Sequence, residues 1–272
     1  MTLHTYPEVE QGSEEWHTQR RGMVTASVVG QLITVGTPDP IDVDCIVCPA
    51  NAGSPCLSLN RKDPTPIKTF HPVRIQDAGD LPPVISPADN DTSRGLTNLL
   101  AAERITGHTD PVYVNDDMMR GTLDEPFAAE LYAEHYAPVE VCGFMVREGD
   151  GWRLGYSPDR LVGDDGLIEI KSPRAKNHLR TILADEVPAQ NMAQCQAGLF
   201  VSGREWLDFV SYRGGMPLYV KRVTPDPKWF KAIEQACIAF ERNVEAIVQT
   251  YNERTAGLIP TERIDHFAEI TV

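Results

Sequence analysis

Residues 155–174 read GYSPDRLVGDDGLIEIKSPR, and the placement of their last third decides the fold. Leu167, Ile168 and Ile170 describe a buried β-strand, yet Glu169 and Lys171 interrupt it. Side chains alternate between the faces of a strand, so Glu169 and Lys171 share one face and Ile168 and Ile170 the other. That charged face is either solvated or a working site. A further acid, Asp159, lies upstream. If Asp164 and Asp165 form a simple two-residue turn, Arg160 falls opposite Glu169 and Asp159 faces the wrong side. An odd loop length or a β-bulge corrects the register, and Gly163 and Gly166 permit either. Such an irregularity is the expectation.

Outward from this strand, VEVCGFMVR (139–147) and WRLGYSP (152–158) read as strands flanking a turn. A helix is expected at about 188–202, then strands in EWLDFVSYR and PLYVKRV, then a long helix from near Pro227 carrying apolar residues at helical spacing. Upstream, a loop enters a helix with Thr25 or Ser27 as N-cap. Another helix has Ser93 near its start and Gly107 near its end. A third begins near TLDEPFAAELYAEHY, with Pro126 in its first turn and Glu125 beside it. The fold class is therefore α/β, a mixed sheet with helices packed on it.

The 272 residues carry a formal net charge of −14, which argues against bulk attraction to nucleic acid but leaves room for a local basic groove. No apolar run is long enough to span a bilayer, and the polar N-terminus is unlike a signal peptide, so a cytoplasmic setting without disulfides is expected. Residues 34–92 hold ten of the 21 prolines and three of the six cysteines. Proline at that density blocks helices and sheet interiors, so this stretch reads as a separate irregular module, leaving 1–33 and 93–272 as the core.

Acids gathered at an apolar sheet ionise with difficulty unless a cation lies among them. Glu125, Asp159 and Glu169 offer oxygen ligands that suit Mg²⁺ or Mn²⁺. Lys171 beside them has the type to orient a bound water, or to deprotonate it if the site depresses its pKa.

SPD (157–159) followed by EIK (169–171) resembles the PD-(D/E)xK nuclease core, a restriction-endonuclease-like fold with helices on both sides of the sheet. More narrowly, EEWHTQRRGMVTAS, RGTLDEP, SPDRLVGDDGLIEIKSP and AQCQAGLFVSGREWLDFVSY, in that order, resemble the YqaJ-type viral recombinase group that includes the lambda exonuclease. The resemblance implies that Asp159, Glu169 and the Ile170 carbonyl ligate Mg²⁺, with Glu125 a further acid and Lys171 the catalytic lysine. Gln194 matches a glutamine near the active site, but Ala197 and Gly198 follow where the family has a tyrosine. It also implies a 5′-phosphate pocket, to which Arg20, Ser27 and Ser157 are suited. Arg21 reads as a surface or backbone-contacting neighbour. Arg174, Lys176 and Arg180 form a basic stretch that either tracks DNA or is a solvated helix face.

Cys45, Cys48, Cys56 and His71 are spaced C-x2-C-x7-C-x14-H. Three thiolates and an imidazole complete a tetrahedron, so a structural Zn²⁺ is expected to order a segment with little apolar mass of its own. Cys142, Cys195 and Cys237 read as small buried residues.

The expected activity is 5′ to 3′ digestion of linear double-stranded DNA, leaving a single strand for an annealing or recombinase protein. A homo-oligomeric ring is a further implication of the resemblance. An endonuclease on the same core, or a non-catalytic DNA-end or partner-binding protein using the zinc module, are the rivals.

Overall fold

The computed structural model describes residues 1–59, 63–111 and 113–264. Residues 265–272, the end of the expected core, lie outside the described residues. The chain opens with strand β1 (Thr2–Tyr6), helix α1 (Glu14–Arg20) and a single helical turn, α2 (Ala26–Val29). Strand β2 (Ile33–Gly36) leads into the proline-rich stretch, which contains helix α3 (Pro72–Gly79) and returns through β3 (Val84–Pro87). Helices α4 (Asp91–Thr106) and α5 (Asp116–His135) precede strands β4 (Phe144–Gly149), β5 (Trp152–Tyr156), β6 (Arg160–Val162) and β7 (Gly166–Lys171). Then come α6 (Ala175–Ala184), α7 (Ala189–Ser202), β8 (Trp206–Ser211), β9 (Tyr219–Val223) and α8 (Pro227–Thr255).

Hydrogen bonding divides the strands into a three-stranded sheet β1-β4-β5, a ribbon β2-β3 and a four-stranded sheet β6-β7-β8-β9. The last is the mixed sheet: β7 and β8 run parallel, and their neighbours are antiparallel. Its two faces are buried against different helices. Ile168, Ile170 and Val210 pack on Ala128, Ala129 and Tyr132 of α5. Leu167, Leu207 and Phe209 join the main core with α7 and α8. A sheet covered on both sides explains why β7 reads as a nearly continuous apolar run.

The ends of α4 follow from sequence: Asn90 and Ser93 form a reciprocal cap, and Gly107 closes the helix at φ 65°. Helix α5 departs from expectation. It starts ten residues before Pro126, at Asp116, capped by Asn115, so Pro126 and Glu125 sit in its interior. A proline there removes one intrahelical bond, and that penalty pointed sequence reasoning to a later start. Strand β4 begins after Gly143 rather than at Val139. A Cβ at Gly143 would lie 2.2 Å from the Val9 carbonyl, so the N-terminal backbone crosses where the strand was expected. Neither β1 nor α1 was anticipated, because their residues are mostly exposed and carry no apolar period.

The ribbon roots the insertion in the core: Leu32 and Ile33 belong to the main cluster, and Ile85 packs against it. Beyond the ribbon, Cys45, Cys48, Ala50 and Cys56 form a separate small cluster.

Candidate active site and metal centre

The loop between β6 and β7 has three residues, 163–165, the odd length expected. Arg160 therefore lies opposite Ile168, and the chain positions of Asp159 and Glu169 face one another. The Asp159 carboxylate accepts the Ile170 amide N–H at 2.5 Å. Glu169 is 1% exposed, which removes the solvated-face reading of this side of β7. Its carboxylate takes hydrogen bonds from Lys171 Nζ at 2.7 Å, Gln194 Nε2 at 2.5 Å and the Tyr156 hydroxyl at 3.3 Å. Glu125 reaches the same cleft from α5, held by Arg160 at 2.9 Å. Arg160 also donates to the Asp159 carbonyl.

The cleft has a volume of about 740 Å³ and is lined by Glu125, Asp159, Ile170, Lys171, Ser172 and Arg180 among others. Burial, reinforced by the charge of Glu169, pushes the Asp159 carboxyl well above the usual carboxylate range. At Lys171, burial works against the charge, but Glu169 and Asp159 outweigh it and raise the pKa. The condition for Lys171 as a proton acceptor, a depressed pKa, is thus not met in this arrangement. Two acids crowded at a desolvated strand pair, one held against ionisation by burial and by the charge of the other, are oxygen donors that fit a cation.

A second constellation lies at the start of the same segment. Trp16 of α1 donates its indole N–H to Ser157 Oγ at 2.7 Å, and the Arg20 guanidinium stacks on the Trp16 ring at 3.9 Å. Arg20 Nη2 points to Thr25 Oγ1 and Ser27 Oγ, each at 3.4 Å, and those hydroxyls are 3.0 Å apart. The residues expected around a phosphate, Arg20, Ser27 and Ser157, are thus joined through Trp16 and Thr25, which sequence reasoning did not single out. Burial lowers the Arg20 pKa to about 10, partly opposed by Glu103, so it remains a cation near neutral pH.

The loop carrying Arg20 is fixed from α4: the Glu103 carboxylate accepts the Gly22 N–H at 2.7 Å, and Arg104 Nε donates to the Gly22 carbonyl at 2.6 Å. Gly22 has φ +62° and no room for a Cβ, which would lie 2.4 Å from Arg104 Cγ. Arg174 and Lys176 are exposed. Arg174, the N-cap of α6, is bound to Asp117 at 2.8 Å.

In the insertion, the ligand atoms of Cys45, Cys48, Cys56 and His71 all lie within 4.8 Å of one another. Three sulfurs and one ring nitrogen in that radius are the donor set of a structural Zn²⁺. Arg74 was not anticipated. It is fully buried and donates to the carbonyls of Val43, Ser54, Ile41 and Asn51 at 2.7–3.3 Å and to Cys56 Sγ at 3.3 Å. Burial alone would raise the Cys56 pKa, but the Arg74 hydrogen bond and the backbone at His71 bring it down to about 6, favouring the thiolate that a metal requires. One arginine in a short helix gave no periodic signal.

Comparison with known proteins adds two domain assignments. Residues 85–205 match the YqaJ-like viral recombinase domain. Residues 11–90 match a putative DNA-binding phage zinc finger domain. An alkaline exonuclease (LHK-Exo) from Laribacter hongkongensis is similar in structure, with a TM-score of 0.65 and 26% identity over 91% of this chain and 100% of that one. LHK-Exo in complex with dAMP gives a TM-score of 0.64 at the same identity and coverage. No match emerged among curated proteins.

Proposed function

We propose, from the pairing of a YqaJ-like viral recombinase domain with a phage zinc-binding domain in one chain, that this protein is a metal-dependent 5′ to 3′ exodeoxyribonuclease acting on linear double-stranded DNA. The observation that carries the reading is the facing of Asp159 and Glu169 across the β6–β7 register, with Lys171 2.7 Å from Glu169. The likeness to an alkaline exonuclease whose structure was solved in complex with dAMP supports a DNA substrate.

In this reading Asp159, Glu169 and the Ile170 carbonyl hold Mg²⁺ or Mn²⁺, and Glu125 adds a further carboxylate at the cleft. Such an ion, when bound, activates water and offsets charge growing on the phosphoryl oxygens. Lys171, kept protonated by its two acids, orients the attacking water and donates to developing negative charge. Gln194 and Tyr156 fix the Glu169 carboxylate, and Arg160 fixes Glu125. Arg20, Ser27 and Ser157, with Trp16 and Thr25, grip the terminal 5′-phosphate, so the reacting bond is measured from the DNA end. Arg174, Lys176 and Arg180 lie along the backbone of the incoming duplex.

The segment 34–92 acts as a zinc-stabilised module set on the 1–33 and 93–272 core, with Zn²⁺ held by Cys45, Cys48, Cys56 and His71. A ring of subunits around the duplex reconciles a charge of −14 with sustained digestion, and the single strand produced passes to an annealing protein. The setting is the cytoplasm; among the described residues no helix is long and apolar enough to cross a membrane.

The test is purified protein with Mg²⁺, offered linear duplex with 5′-phosphate or 5′-hydroxyl ends beside closed circular duplex. Digestion of linear DNA only, faster from phosphorylated ends, is expected. Cut circles would instead indicate an endonuclease, and no digestion a DNA-end or partner-binding protein.

A further inference from the structure

At the mouth of the cleft two arginines from different elements converge on one carboxylate. Arg120 of α5 donates through Nη1 to Asp117 Oδ1 at 2.7 Å. Arg174, at the start of α6, donates through Nε to Asp117 Oδ1 at 3.0 Å and Oδ2 at 2.8 Å. Arg120 is also tied to the residue that follows Lys171 and β7, through Nη2 to the Ser172 carbonyl at 3.0 Å and Nε to Ser172 Oγ at 3.4 Å. Its position is thus set relative to the reacting centre, and Asp117 lines the same cleft as Asp159 and Lys171.

A guanidinium fork that accepts a carboxylate also accepts a phosphate, since both present paired oxygens at matching spacing. The side chains of Asp117 and Arg174 are 40% and 73% exposed, so this ion pair is screened by solvent. It is weak enough to exchange for a better anion.

We infer that Arg120 and Arg174 form a site for a backbone phosphate of the DNA substrate, and that Asp117 fills that site in the DNA-free protein. The inference rests on the nuclease reading and adds to it a residue that opposes binding. Asp117 acts as a competitor built into the chain: it must be displaced when duplex enters, and it returns as the duplex steps onward. Asp116 sits beside it and adds its charge to the screen over Arg174. Hydrogen bonds from Arg174 and Arg120 lower the Asp117 pKa to about 2, so the competitor is ionised near neutral pH.

The experiment uses the full chain with Lys171→Ala, to prevent digestion, and measures binding of linear 5′-phosphorylated duplex by fluorescence anisotropy across a salt series. Adding Asp117→Asn is expected to tighten binding about fivefold at low salt. It should also steepen the plot of log affinity against log salt by up to about one, because no displaced carboxylate is left to take up a cation when the phosphate enters. Adding Arg174→Gln to that variant should remove both gains. Thermal melting checks that each variant is folded. Unchanged or weaker binding by folded Asp117→Asn overturns the inference, as does a gain that survives loss of Arg174. Digestion by the unmodified protein is followed in parallel. If it digests duplex while Asp117→Asn gains nothing, the inference alone fails; if it neither binds nor digests, the nuclease reading fails with it.

Discussion

At Lys171 the ammonium lies 2.7 Å from a carboxylate that is itself 1% exposed, and three other donors and acids surround the pair. Lys171→Ala is expected to lower digestion of linear duplex on the order of 10³-fold while the protein stays folded, with a lowered melting temperature from the lost ion pair to buried Glu169. Loss of less than about tenfold would contradict a role at the reacting atoms. Asp159 carries a second prediction. Its folded pKa is raised, so between the ordinary carboxylate range and that raised value the folded protein holds a proton that the unfolded chain has released. A cation must displace that proton. Mn²⁺ binding should therefore strengthen as pH rises and release protons, read by titration calorimetry in two buffers of different ionisation enthalpy. Buffer-independent heats would contradict it. Glu169 and Lys171 were legible as residues because their types break an apolar strand. Which way Asp159 faced depended on an irregular connection, which was expected and which the three-residue loop provides. Trp16 and Arg74 were not legible, because their hydrogen bonds to Ser157 and to the carbonyls around the cysteines are distant in sequence and leave no local pattern.

Among the elements, the loop before α2 depends most on one backbone conformation. Gly22→Ala is expected to cost about 2 kcal/mol or more, from left-handed backbone strain and overlap with Arg104, and to weaken the preference for 5′-phosphate ends through Arg20. A variant as stable as the parent, with the same end preference, would remove Gly22 from this role. The insertion makes an independent case. Cys45→Ser should lose bound zinc and open 34–92 to hydrogen exchange and proteolysis, while α7, β7 and β8 stay protected, because the two sets of buried residues form separate clusters. Simultaneous loss of protection in both would mean that the module and core fold as one. The helices with polar caps and glycine stops were readable, as α4 illustrates. Helix α5 was read too short because an interior proline outweighed the cap at Asn115. The ribbon β2-β3 was hidden inside a proline-rich stretch whose composition pointed to irregularity.

Across the whole molecule, a charge of −14 sets long-range repulsion against DNA, and in the proposed reading attraction is confined to the cleft and the Arg20 pocket. Retention by encirclement predicts an oligomer by sedimentation and many nucleotides removed per encounter; a monomer that dissociates after each cut would contradict the ring. Helices on both faces of the mixed sheet were implied by the family resemblance, since the charged face of β7 alone left solvation open; the division into separate sheets was not readable, because periodicity carries no record of which strands pair. The central claim is that Asp159 and Glu169 hold a divalent cation beside Lys171. Crystals soaked in Mn²⁺ and measured at the manganese edge address it most directly. An anomalous peak bounded by both carboxylates and the Ile170 carbonyl is the predicted result, and a Mn²⁺-soaked crystal with no peak there would contradict the account.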